Sequence, residues 1–261
     1  MQTASFVSLV LLFVFPISGS GQETSSKSDL THIYNSDQKK FSSFISSFEL
    51  RKTGSDIGVL KSLFHKSHRQ FLKKYKPYSQ LKDIFQDGTF DCLSGTYFLS
   101  LALDHLGIKY RVIETNYHIF LIAQAKHKEV LLESTDRYFG FITNAKAIED
   151  RIASYRQKEL VAPNQLYLSG LQMLHELLPN QLPGLLYFNE AVEAFHKNDL
   201  VSCCKYLEEA WKIYDNPRIE GFTPILIHAI ATSRLDEIQK EKLVGILSDH
   251  QLQAMHSLAS R

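Results

Sequence analysis

The stretch FDCLSGTYFLSLALDHLGI, residues 90–108, decides the fold. Leu93, Tyr97, Leu101 and Leu106 recur at helical spacing, and Gly107 supplies a C-terminal stop. The run is apolar almost all round, which predicts a central, buried helix beginning near Cys92. Upstream, residues 81–90 form a short segment carrying the turn signal Asp87-Gly88. Downstream the texture changes. Residues 110–114, 118–125 and 130–135 are apolar runs of strand length, and residues 124–129 make a polar interruption of hairpin size. The order helix, strand, hairpin predicts an α+β core in which one helix packs on a small antiparallel sheet.

Before that core, residues 37–50 place Phe41, Phe44, Ile45 and Phe48 at helical spacing. A second helix is expected over residues 56–75, ending at Pro77. From residue 147 the chain reads as helical to its end, with breaks at Pro163, residues 179–183 and residues 215–217. The predicted divisions are a signal peptide at 1–21, a linker at 22–36, a core domain at 37–157 and a helical region at 158–261. The signal rests on the apolar run 6–17, which is too short to span a bilayer comfortably, followed by Ser18, Gly19, Ser20 and Gly21. The expected location is therefore exported, periplasmic or secreted, with no stable membrane span once the signal is removed.

Composition narrows the function classes. Lys and Arg total 29 against 28 Asp and Glu, a net charge of +1, so there is no bulk attraction for nucleic acid. Three cysteines, Cys92, Cys203 and Cys204, do not make a disulfide framework. Cys203 and Cys204 read as packed thiols within a helix. Cys92 differs. At a helix N-terminus, unpaired N–H groups and the helix dipole favour a thiolate, and the same N–H groups can receive an oxyanion. His118 opens the second strand and is the candidate base. Glu133 on the next strand falls opposite His118 or one diagonal step away, where it can orient the ring. Asp136 competes for that third role. The other histidines have ordinary explanations: His65, His68, His105 and His127 are expected at exposed helix or turn positions, and His175, His196 and His228 on C-terminal helices. No phosphate-binding glycine loop or serine nucleophile elbow is present. No cofactor is expected, and no metal site, because a fourth ligand for Cys92, His118 and Glu133 is missing.

Three segments together, FDCLSGTYFLSLALDHLGI, YHIFLI and VLLEST, resemble the transglutaminase-like core of the papain-like cysteine superfamily. The resemblance implies that Cys92, His118 and Glu133 form a triad, with Glu133 where that family usually carries Asp. It also implies Gln86, six residues before Cys92, as the candidate oxyanion donor. The implied activity is cysteine-dependent hydrolysis or acyl transfer at peptide or amide carbonyls of a peptide or protein substrate. Residues 185–214 resemble a tetratricopeptide helix pair, with Tyr187, Asn189, Ala191, Ala194, Asp199, Leu207 and Ala210 at matching positions. Such helices imply a protein partner. They also suggest a rival function, a catalytically silent binding module.

Overall fold

The computed structural model describes residues 35–49, 57–115, 118–159 and 174–259. The signal region, all of the linker but its last two residues, and the break at Pro163 lie outside the described residues.

Helix α1 (Asn35–Glu49) begins at those last linker residues and buries Phe41, Phe44, Ile45 and Phe48, as their spacing predicts. Helix α2 (Ile57–Gln70) buries Leu60, Leu63 and Phe64. It stops earlier than its sequence suggests. Phe71 and Leu72 remain buried, but the N–H groups of Lys73 and Lys74 turn to the Gly88 carbonyl at 2.9 and 3.1 Å. Strand β1 (Lys74–Tyr75) then pairs in parallel with β2 (Thr89–Phe90). Gly88 makes this possible: it sits at φ +79°, and a Cβ there would lie 2.9 Å from the Phe71 carbonyl. Between these strands lies the short helix α3 (Leu81–Gln86).

Helix α4 (Cys92–His105) is the central helix, buried continuously from Leu93 to Leu103. Gly107, at φ +64°, ends it, and Ile108 N–H returns to the Leu103 carbonyl at 2.9 Å. The sheet that follows has five antiparallel strands: β3 (Tyr110–Thr115), β4 (Ile119–Ala125), β5 (Lys128–Leu132), β6 (Phe141–Ile142) and β7 (Leu174–Leu177), in the order β6-β5-β4-β3-β7. Alternation along β4 divides the two faces. Ile119, Leu121 and Ala123 join the core around α4, while Phe120 and Ile122 pack with Ile148 and Ile152 of α5 (Ala145–Glu159). The architecture is α+β.

Strand β7 departs from the helical reading of this region, and His175 stands on that strand rather than on a helix. Four residues carry too little periodicity to announce a strand. β7 exists through its pairing with β3, for example Val112 with Leu177. After a 3-10 turn (Pro179–Gln181) come α6 (Leu182–His196), α7 (Leu200–Ile213), α8 (Pro217–Thr232) and α9 (Glu237–Ala259). Leu182, Leu185 and Leu186 at the start of α6 belong to the core around α4, whereas Phe188, Ala191 and Val192 belong to a second core with α7–α9. Gly184 brings α6 and α7 together, since a Cβ there would lie 2.9 Å from Tyr214 Cβ. Cys203 and Cys204 are buried in the second core with free thiols. Among the described residues, no helix is long and apolar enough to cross a membrane.

His68 is buried rather than exposed, because it lies four residues after Phe64 on the inner stripe of α2. Its ring meets Phe64 at 4.6 Å and Phe90 at 6.2 Å. Burial lowers its pKa from 6.5 to about 4. The unfolded chain takes up this proton near 6.5 and the native chain does not. The associated stability is therefore fully present above pH 6.5 and is lost as pH falls toward 4. Between about pH 7 and about pH 4.5, the wild type is expected to lose about 2.5 kcal/mol more than His68→Leu, measured by urea unfolding. Equal losses in the two proteins would contradict this assignment.

Candidate active site

Cys92 is the first residue of α4. The capping residue is Asp91, whose Oδ1 accepts the Ser94 N–H at 2.7 Å and the Ser94 hydroxyl at 2.9 Å. Ser94 Oγ in turn accepts the Asp91 N–H at 2.9 Å. A residue of α6 supports the cap from outside: Asn189 Nδ2 donates to the other Asp91 oxygen at 3.2 Å. The helix start is thus rigid, and its capping carboxylate is buried.

The candidate base stands at one end of the sheet. His118 immediately precedes β4. Its N–H donates to Thr115 Oγ1 at 3.0 Å, and its carbonyl accepts the Thr115 N–H at 2.8 Å. Two contacts tie this end of the sheet to the start of α4. Thr96 Oγ1 donates to the carbonyl of Ile119, next to His118, at 3.2 Å. Ser134 Oγ donates to the Cys92 carbonyl at 3.3 Å. Gly95 permits this approach, because a Cβ there would lie 2.9 Å from Ser134 Cβ and Oγ.

Glu133 follows β5 directly. The register sets Leu121 opposite Leu132, so one further step sets Glu133 across from Phe120 and diagonal to His118. Glu133 Oε2 accepts from His118 Nε2 and from the Tyr155 hydroxyl, the latter at 2.6 Å. Oε1 accepts the Thr135 N–H at 3.1 Å and the Thr135 hydroxyl at 2.8 Å. Burial on its own would raise the Glu133 pKa. The bond to His118, the imidazole charge, Tyr155 and the Thr135 N–H outweigh it and hold the carboxyl below its usual range. Nε2 is engaged by Glu133, so of the two ring nitrogens Nδ1 is the one that could exchange a proton with another group.

Asp136 is engaged elsewhere. It pairs with Arg151 of α5 at 3.2 Å and accepts the Phe139 N–H at 2.9 Å. Gln86 is exposed at the end of α3, and its side chain makes no hydrogen bond among the described residues. Donors already present at the helix start are the N–H groups of the first turn.

The thiol does not follow the helix-terminus expectation. Burial, then the negative charges of Asp91 and Glu133, push the Cys92 pKa up to about 12, and the Arg218 cation opposes them only in part. Cys92 is therefore held as a neutral thiol.

Several site residues escaped the sequence reading. Tyr155 lies on α5, with its ring 4.8 Å from that of His118. Burial, then the Glu133 charge, raise its pKa, so it stays a hydrogen-bond donor. Arg218 and Asn189 come from the C-terminal helices. Tyr75, Tyr138 and Phe139 are exposed aromatics on the two segments that flank the site, β1 and the loop after Glu133. A cleft of about 760 Å³ lies on the α5 face of the sheet, lined by Ile113, Ile122, Ile148 and His175, and none of Cys92, His118 and Glu133 lines it. Among the described residues, no group of three or more His, Cys, Asp or Glu side chains is placed to hold a metal ion.

No protein-family model, curated protein or solved structure matches this chain.

Proposed function

We propose that this protein is a cysteine-dependent hydrolase or acyltransferase acting on peptide or amide carbonyls. The core around α4 would be papain-like or transglutaminase-like, and α6–α9 a tetratricopeptide-like extension. The observation that carries the reading is the His118–Glu133 pair, anchored by Tyr155 and Thr135 at the sheet end that Ser134 ties to Cys92.

In this mechanism the Cys92 S–H proton passes to His118 Nδ1 as sulfur bonds to the carbonyl carbon. Charge gathers on the carbonyl oxygen, facing N–H groups of the first turn of α4. The tetrahedral intermediate collapses, the C–N bond breaks, and the imidazolium protonates the departing amine. A thioester remains. Water attacks it with His118 as base, releasing acid and restoring the thiol; an amine in place of water would give transfer. Glu133 stays ionised and orients the ring. Because the resting thiol is neutral, deprotonation belongs to the attack itself. The apolar run at 6–17 supports export to the periplasm or beyond.

The raised thiol pKa also favours a second reading, a silent site in a protein that binds a peptide or protein partner through α6–α9. Dipeptidyl nitriles separate the two. They form a thioimidate only when a thiol adds to carbon and a proton reaches nitrogen. The enzyme reading expects an intact-mass adduct on Cys92 that Cys92→Ala abolishes and His118→Ala slows at least ~100-fold, the low end of general-base effects. No adduct across a panel varied in side chain would favour the binding module.

A further inference from the structure

We propose that Arg218, in the C-terminal helical region, is a positioning residue for His118, so that the catalytic unit includes α8; this rests on the reading of Cys92, His118 and Glu133 as the reacting site. The case begins at the α8 terminus. Asn216 caps it, accepting the Arg218 N–H on Oδ1 at 2.8 Å, and Pro217 occupies the first turn. The Arg218 backbone is therefore fixed where its side chain can cross to β3. There Nη2 donates to the Thr115 carbonyl at 2.5 Å and lies 3.0 Å from Glu114 Oε1.

Both partners bear on the site. Thr115 makes the hydrogen bonds to the His118 N–H and carbonyl described above, so its peptide sets the backbone from which the imidazole projects. Glu114 is fully buried. It is held by Asn216 Nδ2 at 3.2 and 3.3 Å, by His175 Nε2 at 3.1 Å and by the Tyr214 hydroxyl at 3.4 Å. A carboxylate buried this deeply needs a cation and donors, and among the described residues around it only Arg218 supplies a permanent charge. Elements as distant as β3, β7 and α8 thus converge on one anchor. The triad mechanism has no role for Glu114, and the anchor ends one peptide away from the 116–117 connection leading to His118. The same guanidinium is the positive charge that acts on the Cys92 sulfur. Arg218 joins the site mechanically through Thr115 and electrostatically through the thiol. Both contacts are made by Nη2, at the far end of the guanidinium, and the shorter lysine stem brings its ammonium less far toward β3, so lysine should restore charge and only part of the positioning.

The test uses the full chain and iodoacetamide, following Cys92 alkylation by peptide mass mapping across pH. Arg218→Ala is expected to slow Cys92 alkylation about 10-fold near neutrality and to move its alkaline rise to higher pH, with Arg218→Lys intermediate. Because Arg218→Ala strands the Glu114 charge and can fail to fold, the double variant Glu114→Gln/Arg218→Met serves as the neutral replacement. It should fold and still show the slowing, together with an altered ring-nitrogen shift of His118 by NMR. A purely structural role would lower the melting temperature and leave the rate and the His118 shift unchanged, which overturns the inference. His118→Ala is the control. If it slows alkylation while the folded Arg218 variants do not, the site reading stands and this inference fails. If it has no effect, both fail.

Discussion

Glu133→Ala is expected to cost about 4 kcal/mol of folding stability. The side chain is buried, and its two oxygens receive His118, Tyr155 and both donors of Thr135. Thr135 is exposed enough to turn to water, but the Tyr155 hydroxyl and the His118 ring lose an acceptor in a half-buried setting. Leaving a buried donor without its acceptor typically costs about 1–3 kcal/mol, more where the lost acceptor is charged, and two such donors are stranded here. The pH dependence has a defined sign. Because the Glu133 pKa is held below its usual value, its stabilisation is present above the ordinary carboxylate range and lost as pH falls through the lowered value. Urea unfolding near neutrality should show the full loss, and in acid the gap between wild type and variant should narrow. A loss below about 1 kcal/mol, the scale of an exposed pair, would contradict the pairing. Glu133→Gln should lose less stability, because it keeps the shape, but it cannot accept from all four donors at once.

The second large effect is expected at Gly140, far from any position that sequence pattern would single out. Gly140 N–H donates to the Asp136 carbonyl at 2.8 Å, and its own carbonyl accepts the Glu133 N–H at 2.8 Å, closing the loop that follows β5. A Cβ at Gly140 would stand 2.3 Å from the Glu133 carbonyl oxygen and 2.4 Å from that of Asp136. Both obstacles are backbone, so no rotamer change relieves them. The loop must open, at a cost of about 3 kcal/mol. The damage should extend to chemistry, since Glu133 moves with its carbonyl and His118 loses its fixed acceptor. Gly140→Ala is therefore expected to lower the melting temperature and to slow Cys92 modification together. An unchanged melting temperature with unchanged modification would show that the loop is not the clamp described.

What could be read from the sequence depended on the range of the interactions. The central helix was legible because its apolar residues and Gly107 act locally. The Glu133 position was legible through strand register, because an antiparallel hairpin converts sequence spacing into spatial opposition. Tyr155 was not, since it reaches Glu133 from a helix 22 residues along the chain. Arg218 was still less so, meeting Thr115 across 103 residues. The early end of α2 and the existence of β7 share this cause, as each depends on a pairing made elsewhere. The thiol expectation failed for a different reason. The helix terminus is a local feature favouring the thiolate, whereas burial and the Asp91 and Glu133 charges are tertiary and act the other way with greater effect.

The central claim, that the Cys92 thiol and the His118 imidazole share one site, is tested most directly with 1,3-dibromoacetone, whose two electrophilic carbons flank a single carbonyl. The first reacts with a thiol and the second reaches only a nucleophile beside it. Peptide mapping should find Cys92 joined to His118 through the three-carbon bridge, with the bridge absent in His118→Ala. A Cys92 adduct whose second arm is hydrolysed, or joined to another side chain, would contradict the account.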